Sequence, residues 1–124
     1  MTKIITLLFA FAFLAFAPAM AFSAPSASED AAIEHLIGFV RASKLEFIRN
    51  GVSYPSDAAA DHLASKYAIA KDRLSTADEF IDAVASKSSM TGKPYMIVWP
   101  DGTQAPSGDW LHEELKKYRA GVKK

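Results

Sequence analysis

The chain has 124 residues, half of them hydrophobic, with 14 basic and 14 acidic side chains and no cysteine. A formal charge of zero lacks the basic excess that drives binding to nucleic acid, so the sequence argues against that function. Without cysteine the chain has no disulfide, no thiolate catalysis and no cysteine-based metal site.

Residues 1–21 have the pattern of a secretory signal peptide. Lys3 supplies the positive charge, residues 4–16 are almost wholly apolar, and Ala19-Met20-Ala21 supplies small residues for a signal peptidase. The apolar run is shorter than the about 20 residues that span a bilayer. We therefore expect cleavage after Ala21 and a soluble periplasmic or secreted product, with no lipid anchor because no cysteine follows the cleavage site.

One domain is predicted in the mature chain. Residues 22–28 are small and polar and are expected to form a disordered lead-in. A single domain follows over 29–121, with a short tail at 122–124. No later segment is apolar for long enough to span a membrane, and the mature sequence has no internal repeat. We expect a monomer.

The first two predicted helices flank a β-hairpin. Ser26 begins a capping-box pattern that predicts a helix over about 28–42. Apolar and polar residues alternate over 45–54, on both sides of Asn50-Gly51, a dipeptide that tolerates the positive φ angles of a two-residue turn. An alanine-rich helix is predicted over about 57–74.

Two further helices flank a predicted strand. Thr76 begins a second capping-box pattern and starts the third helix. Gly92 suits the left-handed residue just past a helix end, and Pro94 prevents the helix from resuming. Residues 95–99, YMIVW, favour a buried strand. Ser107 is placed to cap the last helix.

The predicted fold class is α+β. The hairpin and the 95–99 strand, with one further short strand at most, form a small antiparallel sheet, and about four helices cover one face of it.

The segment SKSSMTGKPY, residues 86–95, is rich in hydroxyl and lysine side chains. A Walker phosphate loop needs a glycine five residues before Gly-Lys and a hydroxyl after it, where this chain has Lys87 and Pro94. A serine–lysine nucleophile is also disfavoured, because Gly92 and Pro94 interrupt the helix that would align Ser89 with Lys93. A solvated helix end is the simplest interpretation.

The three histidines, His35, His62 and His112, fall on three separate predicted helices. Each follows or precedes an acidic residue, but neighbours in a helix point in different directions, and no two histidines have metal-binding spacing. The sequence therefore predicts no metal site and no cofactor. His62 is the histidine of greatest interest because it adjoins the apolar face at Leu63.

Several blocks together resemble the YfeK-like family of small exported bacterial proteins, a domain of unknown function. The blocks are FIRNG at 47–51, AADHL at 59–63, TADEFI at 76–81, SKSSMTGKPY, PDGT and DWLHEEL. The resemblance covers about residues 31–119 and implies no known activity, substrate or cofactor. It also implies cysteines at the positions of Leu45 and Trp99, both replaced here. We therefore expect those two side chains to be close neighbours.

A candidate binding patch follows from the predicted strand pairing. Its members could meet at one edge, where Arg49 and Lys93 would supply charge and the others hydrogen bonds to an anionic group. They are Arg49, Asn50, Ser86, Ser88, Ser89, Lys93 and Tyr95. Each also has a local role: Asn50 makes the turn with Gly51, and Ser88 or Ser89 could satisfy helix-end carbonyls. Gly51, Gly92 and Pro94 are predicted to be structural.

Two functions are compatible with the sequence. The first is a periplasmic binding or protein-interaction module without catalysis, whose partner is an envelope protein or a small anionic ligand. The alternative is a small envelope hydrolase or transferase that uses His62 or the Ser89 and Lys93 region. A deep pocket in which one of these side chains contacts a second titrating group would favour the enzyme.

Overall fold

The computed structural model describes residues 24–122, so the predicted signal peptide lies outside the described residues. Four helices and a four-stranded antiparallel sheet confirm the α+β class. The first half contains α1 (Ala27–Ser43), β1 (Glu46–Arg49), β2 (Val52–Pro55), α2 (Ser56–Ala70) and a 3₁₀ turn (Lys71–Arg73). The second half contains α3 (Ala77–Phe80), a π-helical continuation (Ile81–Ala85), β3 (Met96–Val98), β4 (Gln104–Pro106) and α4 (Ser107–Val122).

The sheet has the strand order β2-β1-β3-β4. The predicted hairpin is confirmed, with Phe47 opposite Tyr54 and the turn at Asn50 (φ 51°) and Gly51 (φ 80°). These two positive φ angles fit the two-residue turn whose twist matches that of the strands. Central strand β1 also pairs with β3, which places Phe47 opposite Ile97.

The helices cover one face of this sheet. Phe47 and Ile97 point into the covered face and are buried in one cluster with side chains of all four helices, among them Leu36, Leu63, Phe80 and Leu111. Because side chains alternate along a strand, Arg49 lies on the same face as Phe47. Its position at the end of β1 puts it at the border of the core.

The helix starts follow the sequence only in part. The capping box at Thr76 is complete, with Glu79 as its return partner. At Ser26 the hydroxyl accepts from the amide of Glu29, but the Glu29 carboxylate instead accepts from Ala77 N (2.8 Å) and Arg119 Nη2 (3.1 Å). A side chain that suits a local cap is therefore used to join α1 to α3 and α4.

Three local predictions are wrong. Helix α2 ends at Ala70, well before residue 74. The third helix ends at Ala85, and Gly92 (φ 74°) instead closes a separate turn in which its amide donates to Ser88 O at 2.9 Å. Ser107 does not cap α4, because its hydroxyl donates to Ala85 O (3.0 Å), a carbonyl at the end of the π-helical segment. Tertiary contacts outweigh the local signals at these points.

Leu45 and Trp99 occupy matching positions. Glu46 pairs with Val98 at the ends of the antiparallel strands β1 and β3. Leu45 precedes Glu46 and Trp99 follows Val98, so the two would face each other if the pairing continued by one residue. Contact between their side chains stays a prediction. Within residues 24–122, no helix combines the length and the apolar character needed to cross a membrane.

Candidate functional site

A partly open pocket with a cavity volume of about 130 Å³ lies between the hairpin and α2. Its walls are mainly apolar: they include the aromatic rings of Phe47 and Tyr95, together with Leu63, Ala58, Ala59 and Ala85. The pocket exists because three of the wall residues are alanines, which place only a methyl group where a larger side chain would fill the space.

Arg49 and His62 meet at the border of this pocket. Nη1 of Arg49 is 2.6 Å from Nδ1 of His62 and 2.8 Å from Nε2. Arg49 Nη2 donates to the hydroxyl of Tyr54 at 3.1 Å, and the guanidinium carbon is 4.7 Å from the centre of the Tyr54 ring. A neutral imidazole has one unprotonated ring nitrogen, which is the acceptor for the guanidinium.

A second cation approaches from the next turn of α2. Lys66 Nζ donates to the hydroxyl of Tyr95 at 3.3 Å and is 5.6 Å from the ring centre. The ring of His62 meets the Tyr95 ring edge-on at 6.3 Å. His62 and Lys66 are four residues apart on one helix face, so both side chains lie on the side of α2 that contacts Tyr95. We call Arg49, Tyr54, His62, Lys66 and Tyr95 the cationic rim.

The rim carries an excess of positive charge. Burial, followed by the charges of Arg49 and Lys66, lowers the pKa of His62 below its usual 6.5. Among residues 24–122, no carboxylate lies within 4.0 Å of either cation. Asp61, which adjoins His62 in sequence, instead pairs with Arg41 at 2.8 Å. The rim therefore has two positive charges without a counter-charge in the described part of the chain.

The rim is also dominated by hydrogen-bond donors. The hydroxyl oxygens of Tyr54 and Tyr95 already accept from Arg49 and Lys66, so each tyrosine proton is left to donate to another group. An anion placed among these groups would receive hydrogen bonds from both charged and neutral donors.

Two members of the predicted patch form a bridge between turns. Asn50 Nδ2 donates to Ser88 Oγ at 3.3 Å, and Thr91 Oγ1 donates to Asn50 Oδ1 at 2.6 Å. Ser88 Oγ also accepts from the amides of Met90 and Thr91. Ser88 therefore binds amides within its own loop and the hairpin turn, and the expectation that it satisfies helix-end carbonyls is wrong.

The other patch members lie in different places. Arg49 and Tyr95 line the pocket. Ser86 Oγ donates to Ile81 O at 2.7 Å and packs against Gly108. Ser89 and Lys93 are exposed, and no hydrogen bond joins their side chains within residues 24–122. The structure thus brings Arg49 and Tyr95 to one pocket and Asn50 and Ser88 to one bridge.

Two rim residues, Tyr54 and Lys66, were not predicted as site residues. The signals that identify them are periodic: Ala58, His62 and Lys66 recur every four residues on α2, and Tyr54 pairs with Phe47 on the covered face of the sheet. These patterns show which residues share a face. They do not show that the α2 face lies over the end of β1.

The other histidines tie helices together. His35 Nε2 is 2.7 Å from Glu114 Oε2, and its ring stacks on Tyr118 at 4.4 Å. His112 Nε2 is 2.8 Å from Asp82 Oδ1. Across residues 24–122, no three imidazole or carboxylate groups are arranged to hold a metal ion.

These features define a small α+β protein with an apolar pocket bordered by cations. Residues 27–119 match the model of a family of unknown function, DUF5329, and the chain belongs to this family. It is 42% identical over 71 residues to the uncharacterized protein YfeK of Salmonella typhimurium strain LT2. That match covers 56% of this chain and 59% of YfeK, so it spans less than two thirds of that relative. No solved structure matches the chain.

Proposed function

We propose that this protein is an exported periplasmic binding module that holds a small anionic ligand at the cationic rim and catalyses no reaction. The observation that carries the proposal is that Arg49 contacts His62 and Lys66 contacts Tyr95 at the border of one pocket, with no carboxylate within 4.0 Å of either cation among residues 24–122. A bound anion would supply the missing charge and take charge-assisted hydrogen bonds from both side chains.

The contacts of His62 favour binding over hydrolysis. A general base needs a free lone pair directed at the proton that it removes. The unprotonated nitrogen of His62 accepts instead from the guanidinium of Arg49. The hydroxyl of Ser107, which also lines the pocket, donates to Ala85 O and is not directed at His62. Nothing in these contacts activates a nucleophile.

The predicted signal peptide supports an extracytoplasmic location. Residues 1–21 combine Lys3, an apolar run and a small-residue cleavage motif. The partner in this setting is a small anionic solute or an anionic group on envelope material.

The test uses purified protein expressed from the full chain, with acetate, sulfate and inorganic phosphate as probes at constant ionic strength. Amide resonances near Arg49 and His62 are followed by NMR. We expect saturable shifts with at least one probe, and a loss of affinity of about tenfold in each of Arg49→Gln and Lys66→Gln, as for a lost charged hydrogen bond.

Lys93→Gln is the matched control, because Lys93 is an exposed lysine of the predicted patch outside the rim. It should leave the affinity unchanged. If no probe gives a saturable shift, or if only Lys93→Gln weakens binding, the proposed site is wrong.

A further inference from the structure

We propose that the ligand of the cationic rim is an organic acid whose compact apolar group, of about six carbon atoms, occupies the pocket beneath the rim. This inference rests on the proposed function, because it takes the anionic head of the ligand to bind Arg49 and Lys66. It adds the chemical nature and the size of the group attached to that anionic head. The relationship behind it is that the donors border an apolar cavity.

The volume of the pocket sets the size of the apolar group. An enclosed apolar cavity of about 150 Å³ in another protein binds benzene. The cavity here, about 130 Å³, is close to that size. It is far too large to be filled by the methyl group of acetate and too small for a long acyl chain. A single six-membered ring or a short branched alkyl group fits it.

The chemistry of the walls makes the buried group apolar. Ala58, Ala59 and Leu63 offer only carbon atoms, and the rings of Phe47 and Tyr95 offer faces or edges on which an aromatic ring packs well. Besides the hydroxyls of the two rim tyrosines, the pocket wall includes the hydroxyl of Ser107. That hydroxyl already donates its proton to Ala85 O. A hydrogen-bond acceptor buried beneath the rim would find no free side-chain donor in this wall, which is costly.

The position of the donors sets the orientation of the ligand. Arg49, His62 and the Tyr95 ring all belong to the pocket lining, and Lys66 reaches the Tyr95 hydroxyl from the next turn of α2. An acid group at the rim would therefore be attached directly to an apolar group beneath it. An inorganic anion would satisfy the donors and leave the cavity unfilled.

The experiment compares benzoate and cyclohexanecarboxylate with acetate, decanoate and inorganic phosphate, each titrated into the full-chain protein by NMR. We expect benzoate and cyclohexanecarboxylate to bind at least about tenfold more tightly than acetate, because they bury apolar surface that acetate lacks. Decanoate should bind no better than benzoate, since its additional carbons have no space in the cavity.

Ala58→Leu fills the pocket from α2 and should remove the advantage of benzoate over acetate. The amide NMR spectrum of the variant, compared with that of the wild type, shows that it is folded. Ala68→Leu makes the same change on an exposed position of the same helix and should leave every affinity unchanged.

The outcomes separate the two proposals. If phosphate or acetate binds at the rim but benzoate binds no more tightly, the apolar-group inference is overturned and the proposed anion binding stands. If benzoate binds tightly and Ala58→Leu has no effect on it, the ring lies elsewhere and the inference is again overturned. If none of the anions binds, both proposals fail.

Discussion

Arg49 Nη1 lies 2.6 Å from His62 Nδ1, although the two residues are thirteen positions apart in the chain. Arg49, next to the turn on β1, and Tyr54, on β2, lie on the covered face of the hairpin. Helix α2 begins directly after β2 and brings His62 back over β1. A permanent cation held against an imidazole disfavours the imidazolium form. The contact therefore makes the protonation state of His62 depend on Arg49.

The stability of the folded protein should fall as the pH decreases below about 6.5, the ordinary pKa of histidine. The pKa of His62 is lowered in the folded state, so the unfolded chain binds this proton more readily. The His62 contribution is fully present above about pH 6.5 and is lost as the pH falls through the lowered pKa. Chemical denaturation at several pH values, in wild type and His62→Gln, measures it.

The other titratable groups, including His35 and His112, are the same in both proteins, so the difference between the two curves isolates His62. We expect the two curves to separate below about pH 6.5, with the wild-type protein losing more stability. Parallel curves would contradict the lowered pKa of His62.

Arg49→Gln should raise the pKa of His62 towards its usual value. The charge of Arg49 is the second cause of the lowered pKa, after burial, and glutamine removes that charge while keeping a donor. NMR titration of the imidazole ring measures the change directly. Lys93→Gln is the control and should leave the titration where it is in the wild type. An unchanged His62 titration in Arg49→Gln would mean that burial and Lys66 lower the pKa of His62 without a contribution from Arg49.

Gly108→Ala should destabilise the protein by about 1–3 kcal/mol, the usual cost of overpacking. A Cβ at Gly108 would overlap Ser86 Oγ and lie 3.1 Å from Ser86 Cβ. Gly38→Ala is the matched control, because a Cβ at that helical glycine of α1 meets nothing within 4 Å. Helix propensity predicts that this control gains stability, by up to about 1 kcal/mol.

A double-mutant cycle assigns the cost at Gly108 to Ser86. Ser86→Ala removes the overlapping oxygen, so the double variant should lose less stability than the sum of the two single variants. Strict additivity would show that the two residues do not clash. Equilibrium denaturation of the four proteins gives the answer.

The parts of the fold that depend on adjacent residues were predictable. Asn50-Gly51 specifies a hairpin turn by itself, and Thr76 with Glu79 specifies a helix start. Ser107 was misassigned because its actual partner, Ala85 O, lies 22 residues away in sequence. Three-dimensional neighbours of this kind leave no local signal.

The candidate site also has a part that could be predicted from the sequence and a part that could not. Arg49 and Tyr95 were predicted from the expected pairing of β1 with the strand at 95–99, which β3 confirms. Lys66 was not predicted, because its role depends on where α2 crosses the sheet. The pocket itself depends on alanine side chains, whose importance appears only once the opposite wall is known.

Leu45→Cys with Trp99→Cys should form a disulfide on mild oxidation and stabilise the fold by about 2–4 kcal/mol. Both residues continue the register that pairs Glu46 with Val98, and facing residues of antiparallel strands have Cα separations of about 4.5–5.5 Å, within the range of disulfides. Mass spectrometry detects the bond, and denaturation with and without reductant measures its effect.

Leu45→Cys with Val98→Cys is the control for this disulfide. Because successive side chains of a strand point to opposite faces, a cysteine at 98 is directed away from one at 45 and should remain reduced. If the control pair oxidises as readily as the test pair, the register does not extend to Leu45 and Trp99.

Asn50→Gly should loosen the loop at 88–92 while leaving the hairpin intact. Glycine adopts the positive φ of 51° as easily as asparagine does, so the turn is preserved. The two side-chain hydrogen bonds to Ser88 and Thr91 are lost. Each hydrogen bond contributes about 1 kcal/mol, so the loss of both should lower the hydrogen-exchange protection of the Gly92 amide by about tenfold or more.

Asn50→Asp provides the graded comparison. Aspartate keeps the acceptor for Thr91 Oγ1 and loses the donor to Ser88 Oγ, so its protection should fall between those of the wild type and Asn50→Gly. The Gly92 amide, which donates to Ser88 O, reports on the loop, and the β1–β2 amides report on the hairpin. If Asn50→Gly reduces the protection of the Gly92 amide and of the β1–β2 amides equally, the main role of Asn50 is in the turn. The bridge to Ser88 then does not hold the loop.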